Sequence, residues 1–207
     1  MTLTNTAWQN CNSEIFWRDK TTCSHVVQVY EDDDALLNLL EGFVAGGFSA
    51  NENVVLIATK AHIAALELRL RLSGINLDAL QNNKQYLPLD VHEVLAMFMV
   101  EGCPDYSLFM DTLTGLFSSL HGNKRPVRAY GEMVAVLLEE NNSGATVMLE
   151  HFWNSLAEKL SFSLFCAYAS SQFSEDNAHT LSNICKAHSA IITNSGSSNT
   201  ELAFQQV

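Results

Sequence analysis

His25-Val26-Val27-Gln28-Val29-Tyr30, Glu31-Asp32-Asp33-Asp34, an apolar run from Ala35 to Ala45, Gly46-Gly47 and Asn53-Val54-Val55-Leu56-Ile57-Ala58 follow one another in the chain. The first and last pieces are short and rich in β-branched residues, the pattern of buried strands. The run between them predicts a helix that Gly46-Gly47 stop as a C-cap, and Thr59 has the side chain to cap a further helix. Together they predict a βαβ unit. A βα turn that holds phosphate offers glycine backbone N–H groups and a lysine. Here the same turn offers four carboxylates, so the frame of a phosphate-binding fold is present without its phosphate site.

Outward from this unit, Ala61 to Ser73 predicts a helix with Ile63, Leu66 and Leu70 on one face, ended by Gly74. Tyr86 to Asp90 predicts a short strand whose Pro88 marks an edge or strand end. A helix from about His92 to Val100, a turn at Gly102-Cys103-Pro104-Asp105 and a helix from about Tyr106 to Leu120 come next. Pro126 to Glu132 predicts a strand with Arg128, Tyr130 and Glu132 on one face and Val127, Ala129 and Gly131 on the other. A helix over about 144–160 carries Met148, Phe152, Trp153 and Leu156 as its apolar stripe, and Ser161 to Tyr168 predicts the last clear strand. A final helix over about 175–193 brings Leu181, Ile184, Cys185, His188 and Ile192 together. Alternating strands and helices give an α/β class: one domain, with a mostly parallel sheet flanked by helices. Residues 1–24 read as an N-terminal extension, 25–193 as the domain and 194–207, rich in serine and asparagine, as a disordered tail.

The 207 residues carry 11 basic and 23 acidic side chains, a net charge of −12 that sets aside nucleic acid and anionic lipid as general partners. No apolar run of about 18 residues predicts a membrane span, and no secretory leader is expected at the N-terminus. Five cysteines without a Cys-x-x-Cys pair fit a reduced, cytoplasmic compartment.

Three predicted strands end in tyrosine: Tyr30, Tyr130 and Tyr168. Ligand crevices of open parallel sheets lie beyond the carboxyl ends of the strands. There these rings would join Glu31, Thr59, Asp90 and Glu132 in a small-molecule pocket; the competing reading is that tyrosine simply suits strand ends. Arg128 and Glu132 would clamp a polar ligand or pair with each other. His25 opens a buried strand, as a pocket residue or as a histidine satisfied by backbone. Cys23-Ser24-His25 and Cys185-Lys186-Ala187-His188 combine sulfur with imidazole, which suits zinc. Their spacing is weak evidence, so no metal is expected and His188 is read as a buried histidine at the pocket wall. No hydrolase, zinc-protease or P-loop motif occurs, and nothing in the sequence argues for catalysis. No cofactor is identified.

His25 to Tyr30, Val54 to Thr59, Val127-Arg128-Ala129-Tyr130-Gly131-Glu132-Met133-Val134, Leu149 to Asn154, Phe165 to Tyr168 and Ile184 to Ser189 resemble the MEDS family. These are the sensory domains of methanogen and methylotroph regulators of the DcmR type, and the likeness covers roughly residues 23–193. It implies a prokaryotic signalling domain that binds a small, hydrocarbon-derived compound, with Tyr30, Arg128, Tyr130, Glu132 and His188 carried over as its contacts; His25, Glu31, Thr59 and Tyr168 join them as ligand-binding candidates from the residues themselves. It also implies a KaiC/RecA-like (P-loop-NTPase-like) core lacking Walker A. The chain shows no helix-turn-helix and no kinase, so its output is expected to pass to a partner such as a histidine kinase or a transcription regulator; a homodimer stays open. Two alternatives stand beside this one: a degenerate nucleotide-binding protein without hydrolysis, and a ligand-free interaction module that regulates a kinase.

Overall fold

The apolar strand segments pair side by side. In the computed structural model, which describes residues 25–120, 125–173 and 178–192, they build one parallel sheet. Its strands are β1 (His25–Tyr30), β2 (Asn53–Ala58), β3 (Tyr86–Asp90), β6 (Val127–Gly131), β7 (Ser163–Ala169) and β8 (Ala190–Ile192). Their spatial order is β3-β2-β6-β7-β1-β8. The register aligns Val55 with Ala129, Tyr130 with Phe165, and Val27 with Cys166. A small antiparallel pair, β4 (Met99–Val100) with β5 (Cys103–Pro104), stands apart from the sheet.

Period two sorts the strand side chains onto two faces. Val27, Val55, Ile57, Ala129, Leu164, Cys166 and Tyr168 pack under α4 (Val91–Ala96), α5 (Tyr106–Ser118), α6 (Met133–Glu139), α7 (Ser143–Leu160) and α8 (Ala178–Ala187). Val26, Tyr30, Val54, Leu56, Ala58, Tyr130 and Phe165 pack under α1 (Asp33–Ser49), α2 (Lys60–Leu72) and α3 (Leu77–Asn82). The first face is aromatic: Trp153 lies against Phe109 and Phe162, and Phe117 against Phe162.

Five expectations are corrected. First, α1 does not stop at Gly46-Gly47 but runs through both to Ser49. A Cβ on Gly47 would come within 2.6 Å of Val54 Cγ2 and 2.8 Å of Arg128 Cδ, so this glycine serves close approach of helix to sheet. Second, α6 was unassigned because Met133 through Leu138 are all buried and leave no amphipathic stripe to detect. Third, the buried face of α7 holds Leu149, Glu150, Trp153 and Leu156, while Met148 is exposed. Ser161, in the left-handed region at φ 53°, closes that helix, so β7 begins two residues later. Fourth, the last helix ends at Ala187; His188 lies past its end and Ile192 belongs to β8. Fifth, the helix expected from about His92 to Val100 covers only Val91–Ala96, and Met99–Val100 pairs with Cys103–Pro104 as β4 and β5.

The expected helix ends at Thr59 and Gly74 stand. Thr59 accepts from His62 N–H as the cap of α2, and Gly74 takes the positive φ that follows this helix. The assignments to 1–24 and 194–207 lie outside the described residues. Among the described residues, no helix is long and apolar enough to cross a membrane.

Candidate functional site

β2 and β6 are neighbours, yet the chain leaves them in opposite senses. After β2 it passes under α2 and α3 to β3; after β6 it passes through α6 and α7, on the other face, to β7. This makes their carboxyl ends a topological switch point, where open α/β sheets form their ligand crevice. Glu132 sits there, at the start of α6. Its Oε2 accepts from Thr59 N–H at 2.7 Å and its Oε1 lies 2.5 Å from His62 Nδ1. His62 Nε2 is 3.8 Å from Asp33 Oδ1, on the β1–α1 side. The bond to Glu132 raises the His62 pKa, against the opposing effect of burial. Tyr30 and Tyr130 complete the group: burial, then the nearby Glu132, drives both phenols upward, so both stay protonated. The Tyr130 hydroxyl is buried and has no hydrogen-bond partner among the described residues.

The acidic turn divides its work. Asp32 caps α1 by accepting from Ala35 N–H at 2.8 Å, and Asp34 pairs with Arg69 at 2.7 Å. Asp33 faces His62, and Glu31 is exposed. Asp90 is likewise spent as a cap, accepting from the N–H groups of His92 and Glu93.

A second group lies on the opposite face of the sheet, under α7. His25, Glu150, Cys166 and His188 each present one ligating atom, all within 4.8 Å of one another. His25 Nε2 is 3.3 Å from Cys166 Sγ and 3.3 Å from Glu150 Oε2, and His188 Nε2 is 3.5 Å from the same Oε2. Tyr168 donates a short hydrogen bond to Glu150 Oε1. The side chains of Glu150 and His188 are fully shielded from solvent. Burial pushes the Glu150 carboxyl up, but His188, His25 and Tyr168 together outweigh it and hold the group low. Burial brings His188 down to about 4, so its imidazole is neutral at neutral pH. Burial, then Glu150, raises the Cys166 thiol.

The pocket expected to hold all three tyrosines is not built. Tyr30 and Tyr130 are on the α1 face and Tyr168 on the α7 face, because Tyr168 is in phase with Cys166 whereas Tyr130 pairs in register with Phe165. Nor do Arg128 and Glu132 pair. Arg128, near the amino end of β6, binds Glu52 through Nε, donates to the Phe43 carbonyl at 2.8 Å and lies over the Phe43 ring. It is a structural cation locking α1 to the sheet.

With this geometry in hand, the comparisons are informative. The model of the family described as "MEthanogen/methylotroph, DcmR Sensory domain" matches residues 24–189. This chain belongs to the MEDS family. No curated protein matches it. A solved structure from a structural study of a Pyrococcus horikoshii OT3 protein superposes with a TM-score of 0.53 at 15% identity, covering 90% of each chain. At that identity the likeness shows a shared α/β fold alone.

The nine expected site residues of this MEDS domain thus fall into separate neighbourhoods. Tyr30, Thr59, Tyr130 and Glu132 meet at the switch point, His25, Tyr168 and His188 meet under α7, and Arg128 and Glu31 join neither. His62, Glu150, Cys166 and Asn154 were missed. The signal for Glu150 was available: it is a carboxylate one turn before Trp153 and Asn154 on a helix whose other inward positions, Thr146 apart, are apolar.

Proposed function

We propose that this MEDS domain is a non-catalytic sensor that binds a small, neutral or cationic hydrocarbon derivative, such as an alcohol or amine, at the β2–β6 switch point. Binding there changes its contact with a signalling partner, a histidine kinase or transcription regulator. The family is a sensory one, and the observation that supports this site is the buried, partnerless Tyr130 hydroxyl close to Tyr30 and Glu132. An unmet buried hydroxyl costs about 1–3 kcal/mol, which a ligand's polar end would recover. The carboxylates of Glu132 and Asp33 favour a hydrogen-bond donor or a cation and repel phosphate, which argues against the nucleotide reading. The ligand acts on the partner only in so far as it prefers one conformation of the domain.

The test is an NMR screen of short-chain alcohols, amines and adenine nucleotides, the last with and without magnesium. The expected result is a response to an alcohol or amine centred on Thr59, His62 and Tyr130, and lost in Glu132→Gln. A response to nucleotides alone, or one centred elsewhere, would replace this reading.

A further inference from the structure

The group under α7 has a geometry that the proposed sensing site does not use. His25 Nδ1 lies 2.9 Å from Asn154 Oδ1, and Asn154 Nδ2 donates to the Ala187 carbonyl at 2.8 Å. That second bond fixes the amide orientation, so Asn154 presents an acceptor and His25 Nδ1 carries the proton. His188 Nδ1 lies 2.7 Å from the Ile184 carbonyl, which can only accept, so it too carries its proton there. Both histidines have therefore spent their N–H outward, and both Nε2 lone pairs point inward at Glu150 and Cys166. The rings stand 3.9 Å apart.

Without a cation this arrangement is poor. A proton placed between His25 Nε2 and Glu150 satisfies that pair, but His188 Nε2 still faces a carboxylate oxygen at 3.5 Å with no hydrogen bond among the described residues. A buried acceptor set against a buried acceptor is costly. A metal ion turns each of these contacts favourable.

We infer that His25, Glu150, Cys166 and His188 form a zinc(II) site with an N2SO donor set. Ligands at about 2.0–2.3 Å from zinc in a tetrahedron stand about 3.3–3.8 Å apart. The separations here are 3.3 Å for His25 to Cys166, 3.3 Å for His25 to Glu150, 3.5 Å for His188 to Glu150 and 3.9 Å for Cys166 to Glu150. The charge also closes. Two positive charges meet one thiolate and one carboxylate, leaving a neutral unit in a site without solvent. Thiolate with imidazole selects zinc over magnesium or calcium. The outer contacts are those of ligated residues: an N–H of each histidine to an oxygen acceptor, and the Tyr168 hydroxyl on the free oxygen of Glu150. Four protein ligands leave no open position, so the ion is a staple joining β1, α7, β7 and the segment after α8. On binding, the Cys166 S–H proton is released to solvent as the Zn–S bond forms. Cys185, which the sequence had paired with His188, is not among the four.

The full chain, purified under reducing conditions without chelator, should hold one zinc per chain by elemental analysis. After metal removal it should regain one equivalent, with protons released as the ion binds. Cobalt(II) in its place should give the near-ultraviolet charge-transfer band of a thiolate ligand. Cys166→Ser should abolish that band and Cys185→Ser should keep it, with circular dichroism reporting the fold of both. A wild-type chain that takes up no zinc when titrated, or a thiolate band that survives in Cys166→Ser, would overturn the site. Neither result depends on the sensing site at the switch point.

Discussion

Glu132 and His62 are joined at 2.5 Å across the gap between the start of α6 and the first turn of α2. The same carboxylate holds Thr59 N–H, so one side chain ties the carboxyl end of β6 to the helix that follows β2. The loops on either side of the switch point are therefore set by a single acid.

The pH dependence of stability follows from this contact. The His62 pKa is raised from 6.5 in the folded chain, chiefly by Glu132. Its contribution is thus complete below 6.5 and is lost as pH rises through the raised value. Urea denaturation of wild type and His62→Gln from pH 6 to 9 should show a difference that shrinks as pH rises. A constant difference would mean that the imidazole does not titrate there.

Glu132→Ala removes both acceptors and leaves Thr59 N–H unmet beneath the crevice. The expected loss is about 1–3 kcal/mol, read by chemical denaturation at pH 6. Glu132→Gln keeps an acceptor for Thr59 and should lose less.

Gly47→Ala sets helix propensity against space. Alanine is favoured over glycine inside a helix by about 1 kcal/mol. At this position the new methyl meets Cγ2 of the fully buried, β-branched Val54 at 2.6 Å. Overpacking of this kind costs about 1–3 kcal/mol, so the variant should be the less stable one by thermal or urea unfolding. A gain in stability would show that α1 slides freely on the sheet.

Arg128→Met deletes the cation between Glu52 and the Phe43 carbonyl and leaves Glu52 without its partner. Breaking a buried ion pair from one side costs about 3–5 kcal/mol, and Glu52, being partly exposed, places the expectation at the lower end. Response to the switch-point ligand should be unchanged in the fraction that stays folded. A selective loss of response would return Arg128 to the ligand site.

The sheet was legible at β1 and β2 because they are rich in β-branched residues and almost all buried, and at the half-buried β3 because Pro88 marked an edge strand. Gly46-Gly47 misled because a glycine pair reads alike as a stop and as a contact; only the opposing Val54 decides between them. Two parts of the site were hidden for different reasons. His62 looks like an ordinary polar position on an exposed helix until β6 brings Glu132 beside it. Glu150 and Cys166 are 16 positions apart in sequence and meet His25 only after β1 has paired with β7. Reading strand ends as one rim also ignored that Tyr130 and Tyr168 differ in phase, which assigns them to opposite faces.

That difference in phase has a further consequence at β7. Phe165 packs on the Tyr130 ring, with centroids 5.5 Å apart, while the next residue, Cys166, contacts His25 on the reverse side. Consecutive residues thus look out on the two chemical neighbourhoods of the domain, separated by the thickness of a single strand. Interiors this densely packed pass on displacements rather than absorb them. β7 is a party wall: the Tyr130 ring leans on one side of it at Phe165 and the Cys166 sulfur lies on the other, one residue along.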